Sequence, residues 1–356
     1  MGVAGIGEFD LIARLVETVE AARRGRSASW GPQVRLGSGD DAAITVPPGA
    51  TATSVDTMVE GVHFRRDTAP LSSVGRKALA TALSDLAAMG AAPGEAYVQL
   101  GVPDDLDEAG CAELARGLAA VAADHSVAVL GGDVTRAPAL TLALTVVGHA
   151  VAPAEFVTRS GARSGDVVAV TGELGGAAAG LVLLERPELA GVLDPRVAER
   201  LRLRQLEPEA RLEAGQALAR SGATAMIDLS DGLGGDAGHL AESSGVEVVV
   251  ELERVPLQEG VAAIAEAAGV DLHELAVERG EDYELLVTVP KDRVHDALQA
   301  VAGTGCALTP IGSVGEGACV ALIEPDGSRR KPAGFDQLQG QPATRNPTEP
   351  GRSVDR

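Results

Sequence analysis

Apolar positions recur at helical spacing over residues 9–23, where Leu11, Ile12, Leu15, Val16 and Val19 share one face; Arg23, Arg24 and Gly25 then mark the end of a predicted amphipathic helix. A Gly/Pro-rich joint leads to short β-rich runs around 42–46 and 51–56. An Ala-rich helix is predicted near 72–90, closed by Gly90 with Pro93 beyond it, and Tyr97 to Val102 reads as a strand. A second helix fits 105–124, with Leu106, Leu114, Leu118 and Val121 on one face. The apolar run Val127 to Leu130 follows, so Gly131-Gly132-Asp133 is expected as a loop at a strand's carboxyl end, where open α/β sheets place their ligands. Thr141 to Val147 closes this first half as another strand.

Residues 151–165 are polar and contain Pro and Gly, and a strand at Val167 to Val170 restarts the pattern. An Ala-rich helix then follows Gly176, another fits 208–220, and a short strand spans Ala225 to Leu229. Beyond Gly234 the spacing predicts a helix, a strand at Val246 to Leu252, helices near 259–268 and 291–302, and a strand at Leu285 to Val289. Several strands follow one another without a full helix between them, which favours an α+β, mixed α/β chain over a doubly wound sheet. The expected division is 1–150 and 151–337, with 338–356 as a tail poor in apolar residues and expected to be disordered.

Composition narrows the function classes. Of 356 residues 45% are hydrophobic but only 2% aromatic, so Trp30, Tyr97 and Tyr283 cannot build the stacking platform of a single-stranded nucleic-acid binder. Thirty basic residues face 51 acidic ones, a net charge of −21, and only Lys77, Lys291 and Lys331 are lysines. A bare phosphate would be repelled by such a surface, so a nucleotide-handling role calls for divalent cations. Cys111, Cys306 and Cys319 are odd in number and far apart, which fits a reduced, cytoplasmic setting. No run of about 18 apolar residues and no signal-type apolar core occur, so no membrane association is expected.

The candidate chemistry lies in short acidic words. Gly39-Asp40-Asp41, Ser54-Val55-Asp56, Ser84-Asp85, Gly131-Gly132-Asp133 and Asp228-Leu229-Ser230-Asp231-Gly232 set carboxylates beside Gly or Ser, at sharp turns suited to hard, oxygen-preferring cations such as Mg²⁺. Competing chemistries lack their signatures. No Gly-Lys pair exists for a phosphate loop, and Gly172 to Gly180 lacks dinucleotide-loop spacing and reads better as glycines for close helix packing. No nucleophile elbow accompanies the six histidines, and no His/Cys cluster has zinc spacing.

A longer series of words resembles the thiamine-monophosphate kinases. It includes Gly7-Glu8-Phe9, Gly39-Asp40-Asp41-Ala42, Val55-Asp56-Thr57, Glu60-Gly61-Val62-His63-Phe64, Lys77-Ala78, Leu83-Ser84-Asp85-Leu86-Ala87-Ala88-Met89-Gly90 and Gly131-Gly132-Asp133. It continues through Thr158-Arg159-Ser160-Gly161-Ala162, Ile227 to Leu233, Gly280-Glu281-Asp282-Tyr283-Glu284-Leu285 and Gly334-Phe335-Asp336, spanning about residues 5–337. The resemblance implies ATP-dependent phosphorylation of thiamine monophosphate to thiamine diphosphate. The implied fold is the two-domain one shared with aminoimidazole-ribonucleotide synthetase: an N-terminal domain whose sheet pairs across a dimer axis, and a C-terminal α/β sandwich. A homodimer is therefore implied.

By position, the resemblance makes Asp41, Asp56, Asp85, Asp133 and Asp228 ligands of several Mg²⁺ ions, with oxygens from Ser54 and Val55, and places Asp231 at the metal near the transferred phosphate. Gly132, Asp133, Arg159 and Ser230 would contact ATP, and His63, Glu281 and Phe335 the thiamine substrate; Asp231 and Asp133 carry the catalytic role. Val55 stands where the family often has Thr, which leaves a backbone carbonyl as the donor there, and a tyrosine sometimes seen at the nucleotide site has no counterpart near Ala115. A direct in-line transfer fits, because the acceptor phosphate is already largely deprotonated and needs no strong base.

Read singly, these residues keep ordinary alternatives. Asp40-Asp41 fits a capped turn, Asp228 and Asp231 fit turn formers or a helix N-cap, His63 a partly buried histidine, Arg159 a surface arginine and Phe335 a packing anchor. Lys77, in an Ala-rich helix, reads by default as a snorkelling surface residue. Two rivals remain: another ATP-dependent enzyme of the same fold, and a non-catalytic nucleotide or divalent-cation binder. Two relatives of that fold, selenophosphate synthetase and the hydrogenase-maturation dehydratase, need a reactive cysteine near one end, and no cysteine precedes Cys111 or follows Cys319. The acids come from both halves, so the reaction is expected where the halves meet.

Overall fold

Alternating exposure along Ala50–Val59 (β3), with Ala52, Ser54, Asp56 and Met58 turned inward and Thr51, Thr53 and Val55 outward, is the period-2 pattern of a strand covered on one face. The computed structural model describes residues 8–23, 31–38 and 41–330. Before β3 stand a helix at Glu8–Arg23 (α1) and a small antiparallel pair, Gln33–Leu36 (β1) and Ile44–Val46 (β2). The expected helix end at Arg24 and Gly25, Gly39-Asp40 and Trp30, the words around Phe335 and the expected tail lie outside the described residues.

The first half continues with Leu71–Ala88 (α2), Ala92–Val102 (β4), Glu108–Asp124 (α3), Ala128–Arg136 (β5) and Thr141–Ala150 (β6). Four strands form one sheet in the order β3-β6-β4-β5, with β4 and β5 parallel and the other pairs antiparallel. Asp107 starts α3, its side chain accepting the Gly110 N–H at 2.9 Å, which is why the helix begins three residues later than its apolar pattern suggests. Gly131-Gly132-Asp133 is not a loop: β5 runs on through it, with Asp133 opposite Gln99 of β4. A bulge at Ala96/Tyr97 and the ladder to β4 carry the strand across the two glycines.

Helices α2 and α3 touch through glycines. A Cβ on Gly75 would overlap the Leu114 carbonyl, and one on Gly117 would overlap the Ser72 carbonyl. Gly117→Ala is expected to lower stability by about 1–3 kcal/mol by forcing the helices apart. Denaturant unfolding checks this, and an unchanged midpoint would mean that the helix pair yields without cost.

The second half holds Val167–Thr171 (β7), Gly176–Glu185 (α4), Pro195–Leu206 (α5), Leu212–Arg220 (α6), Ala225–Asp228 (β8), Leu233–Ser244 (α7) and Val246–Glu251 (β9). Val261–Ala268 (α8), Leu285–Val289 (β10), Val294–Ala302 (α9), Leu308–Glu316 (β11), Cys319–Ile323 (β12) and Arg329–Arg330 (β13) complete it. Its seven-stranded sheet has the order β13-β12-β9-β11-β7-β10-β8, antiparallel except for β12 against β9. The sequence pattern misses α5 and β11 to β13. Helix α5 carries its own start signal, Asp194 accepting from Arg196 N–H at 2.8 Å ahead of Pro195 at the first helical position. The glycines of α4 serve packing as expected, since a Cβ on Gly180 would overlap the Leu201 carbonyl of α5.

An apolar layer joins the halves. Leu79, Leu83 and Leu86 of α2 belong to one core with Met226 of β8, Leu285 and Val287 of β10 and Leu218 of α6. Helix α2 is therefore buried along most of its length, between the four-stranded sheet and the second half.

Candidate active site

Helix α2 ends beside β3 on one side and β8 on the other, which draws acids of both halves together. Asp56 projects inward from β3, Asp85 from the last turns of α2, and Asp228 closes β8, with Ser230 and Asp231 in the turn before α7. All five, with His63 and Glu281, line one cavity of about 520 Å³. Ser54 Oγ donates to Asp85 Oδ2 from behind that wall, and Ser84 Oγ donates to Asp228 Oδ2 at 2.7 Å.

Burial and mutual repulsion dominate the electrostatics. Asp228, 4% exposed, is pushed up to about 7, first by burial and then by the charge of Asp85, with Ser84 and Arg159 opposing. Burial also raises Asp85, helped by Asp56 and opposed by the hydroxyl of Ser54 and by Arg159. Asp236, which accepts the Asp231 N–H at 3.1 Å, is raised by burial and by Asp228 and Asp231. Carboxylates held this way are short of positive charge.

The donor set fits Mg²⁺: carboxylate and hydroxyl oxygens from Asp56, Asp85, Asp228, Ser230 and Asp231, with no thiol among the described residues that line the cavity. Among the described residues no three His, Cys, Asp or Glu side chains close into a ready-made metal cage. Mg²⁺ is commonly held by one or two carboxylates plus substrate phosphates and water, so such a cage is not required.

Other residues of the lining bring different chemistry. His63 Nδ1 accepts the Val59 N–H at 3.0 Å, which leaves Nε2 as the protonated nitrogen of a neutral ring. Glu281 lies in the segment 280–284, whose backbone takes positive φ at Glu281 (72°) and Tyr283 (50°), a region non-glycine residues rarely adopt. Hydrogen bonds lock it to the acidic turn: Glu281 N to Ser230 O and Tyr283 N to Leu229 O, both 2.9 Å. A Cβ on Gly280 would overlap the Ser230 carbonyl, so the close approach demands glycine there.

Buried charges support this segment from behind. Asp282 accepts from Gly175 N at 2.7 Å and Ala177 N at 3.1 Å, so the N-terminus of α4 is capped by the protein's own carboxylate. Glu284 accepts from Thr171 Oγ1 at 2.7 Å, from Arg211 at 2.7 and 2.8 Å and from Arg204. Burial alone would raise Glu284, but the two guanidiniums hold it below the usual carboxylate range.

Arg159 is exposed and does not line the cavity, yet its charge acts on Asp85, Asp228 and Asp236. Val55 faces away from Ser54 and Asp56 and is 65% exposed, so its side chain is not on their face of the strand. Gly132 and Asp133 sit on β5, separated from β3 by β6 and β4, about 14 Å at the usual strand spacing, and do not line the cavity. Asp41, exposed just before β2, does not line it either, and Phe335 lies outside the described residues.

Lys77 corrects the sequence reading. It is not a snorkelling surface residue but 4% exposed, in the cavity wall, with Nζ 2.8 Å from Glu281 Oε1. The missed signal was its rarity, one of three lysines, on a helix face shared with Asp85. Gln205 of α5 was also missed; its Nε2 donates to Glu281 Oε2 at 2.5 Å. Nothing local marked it, because its partner is 76 residues away.

Comparison with known families places this architecture. Residues 39–150 match the N-terminal domain and residues 163–323 the C-terminal domain of AIR synthase related proteins, and that is the class the fold and cavity define. The chain is 39% identical to the thiamine-monophosphate kinase of Escherichia coli K12 over 288 residues, covering 80% of this chain and 83% of the relative. It superposes on the crystal structure of thiamine-monophosphate kinase from Stenotrophomonas maltophilia K279a with a TM-score of 0.78 and 32% identity, covering 93% and 99% of the two chains. It also matches AaThiL complexed with AMPPCP and TMP, with a TM-score of 0.71 and 31% identity, covering 94% and 98%. The chain belongs to the thiamine-monophosphate kinase family.

Proposed function

We propose that this protein phosphorylates thiamine monophosphate with ATP, giving thiamine diphosphate and ADP. The observation that carries the reading is the shared cavity: Asp56, Asp85, Asp228 and Asp231 line it together with His63 and Glu281. Likeness over nearly the whole chain to AaThiL, whose structure is complexed with AMPPCP and TMP, supports the same pair of ligands. The first half, 1–150, supplies Asp56 and Asp85, and the second, 151–337, completes the site through Asp228, Ser230, Asp231 and Glu281.

The chain's own residues position the reactants and shape the field. Asp56, Asp85, Asp228 and Asp231, with Ser54, would hold the cations, while Asp41, Asp133 and the Val55 carbonyl are assigned to the same task by family position. Mg²⁺, when bound, supplies the positive charge that lets two phosphate groups approach each other and an acidic wall. Ser230, Gly132 and Arg159 would orient the nucleotide; the His63 Nε2–H donor and the Glu281 carboxylate would orient the thiamine substrate, with Phe335. The proposed transfer is direct and in line, without a phosphoenzyme, and needs no strong base because the attacking phosphate oxygen is already largely deprotonated. We infer a homodimer paired through the four-stranded sheet, as the family resemblance implies, in a cytoplasmic setting that suits three cysteines far apart in sequence.

The test is turnover of purified protein with ATP, Mg²⁺ and thiamine monophosphate, following thiamine diphosphate and ADP together. Binding of nucleotide with thiamine monophosphate left unchanged would instead favour a non-catalytic binder.

A further inference from the structure

We propose that Lys77 is a positioning residue that holds the Glu281 carboxylate in the orientation that meets thiamine monophosphate, an assignment that rests on the functional reading above. Lys77 Nζ lies 2.8 Å from Glu281 Oε1, and Gln205 Nε2 lies 2.5 Å from Oε2. Both oxygens of the carboxylate are thus held, one from α2 in the first half and one from α5 in the second. The backbone beneath is constrained too, at a φ of 72° and tied by its N–H to the Ser230 carbonyl at 2.9 Å. A carboxylate fixed at its backbone and at both oxygens presents one geometry to a ligand.

Helix α2 gives this clamp a second consequence. Val74, Lys77, Thr81 and Asp85 recur at helical spacing and all line the cavity. Lys77 and Asp85 are eight residues apart, about 12 Å along one rigid helix. The clamp on Glu281 and one of the proposed cation-holding acids therefore share a single ruler, so fixing Glu281 to Lys77 also fixes it relative to Asp85. A buried ammonium is costly without a counter-charge, and Lys77, with its side chain 5% exposed, has Glu281 as its ion-pair partner. The charge of Lys77 in turn keeps Glu281 below the usual carboxylate range against the effect of burial.

The experiment compares Lys77→Met, Lys77→Arg and Glu281→Gln with the unaltered chain, varying each substrate at saturating levels of the other and recording the melting of each protein. Lys77→Met is expected to raise KM for thiamine monophosphate about tenfold while KM for ATP stays within about twofold, and Lys77→Arg to recover most of the loss. Glu281→Gln should show the same substrate-selective defect, and the double variant should be no worse than Lys77→Met alone. An unchanged KM for thiamine monophosphate in Lys77→Met, or a fall in kcat with both KM values intact, would overturn the assignment. A defect in Lys77→Met that Glu281→Gln lacks would also overturn it, because Lys77 would then act on the substrate directly. Should Lys77→Met fail to fold, Glu281→Gln decides alone, and a normal KM there sinks the proposal. An inactive unaltered chain would instead sink the kinase reading.

Discussion

Asp231→Asn is expected to lower kcat by about 10²–10³-fold, the range found when one preorganised charge-stabilising group is removed from a site. The fold should survive. Asn keeps the side-chain shape, and two hydrogen bonds of this turn use main-chain groups that the substitution leaves in place: the Asp231 N–H donates to Asp236 Oδ2 at 3.1 Å, and Ser230 O accepts from the Glu281 N–H at 2.9 Å. What changes is charge on the cavity wall, at the point assigned to the metal nearest the transferred phosphate. Thermal stability should not fall, because removing one charge relieves the repulsion that Asp231 exerts on buried Asp236. Turnover and thermal denaturation of one preparation check both halves, and near-normal turnover would remove Asp231 from the chemistry.

Glu284→Ala should do the opposite, costing about 3–5 kcal/mol of stability, because removing one partner of a buried ion pair leaves uncompensated charge. Here Arg204 loses its carboxylate partner and Arg211 keeps only the exposed Glu209. Arg204 and Arg211, with side chains 12% and 18% exposed, both point at Glu284, whose side chain is fully buried. The Thr171 hydroxyl loses its acceptor as well. Glu284 also anchors the end of segment 280–284, so activity should fall as Glu281 loosens, but only as a consequence of the stability loss. Urea unfolding measures the effect; a loss under about 1 kcal/mol would show that water reaches the arginines and compensates.

These two residues show how far local reading reaches. Asp231 was legible because its chemistry is written beside it, in Asp228-Leu229-Ser230-Asp231-Gly232, a turn that any carboxylate pair flanked by Ser and Gly announces. Glu284 was legible only as part of a family word, since what makes it matter, Arg204 and Arg211, comes from 80 and 73 residues away. The helices α2, α3 and α6 and the strands β7, β8 and β10 could be read from apolar period. Helix α5 and strands β11 to β13 could not, the latter because short runs such as Cys319–Ile323 acquire strand character through pairing with β9. Asp133 was placed in a loop on the strength of two glycines, whereas the β4 ladder extends the strand through it.

By itself, the sequence determined the kind of chemistry: oxygen donors beside small residues, an excess of negative charge, and an order of words that identifies a family of ATP-dependent kinases. It also determined faces, because a period of two puts Ser54 and Asp56 together and turns Val55 away, whatever the strand packs against. Only the tertiary structure decided which acids share a cavity. Strand order and the passage of α2 between the sheets bring Asp56, Asp85, Asp228 and Asp231 together and leave Asp133 three strands across. The same packing took Lys77 out of water and set it against Glu281. Periodicity is a property of neighbours along the chain, while burial and charge pairing depend on what arrives from elsewhere, and that is fixed only once the halves close on α2.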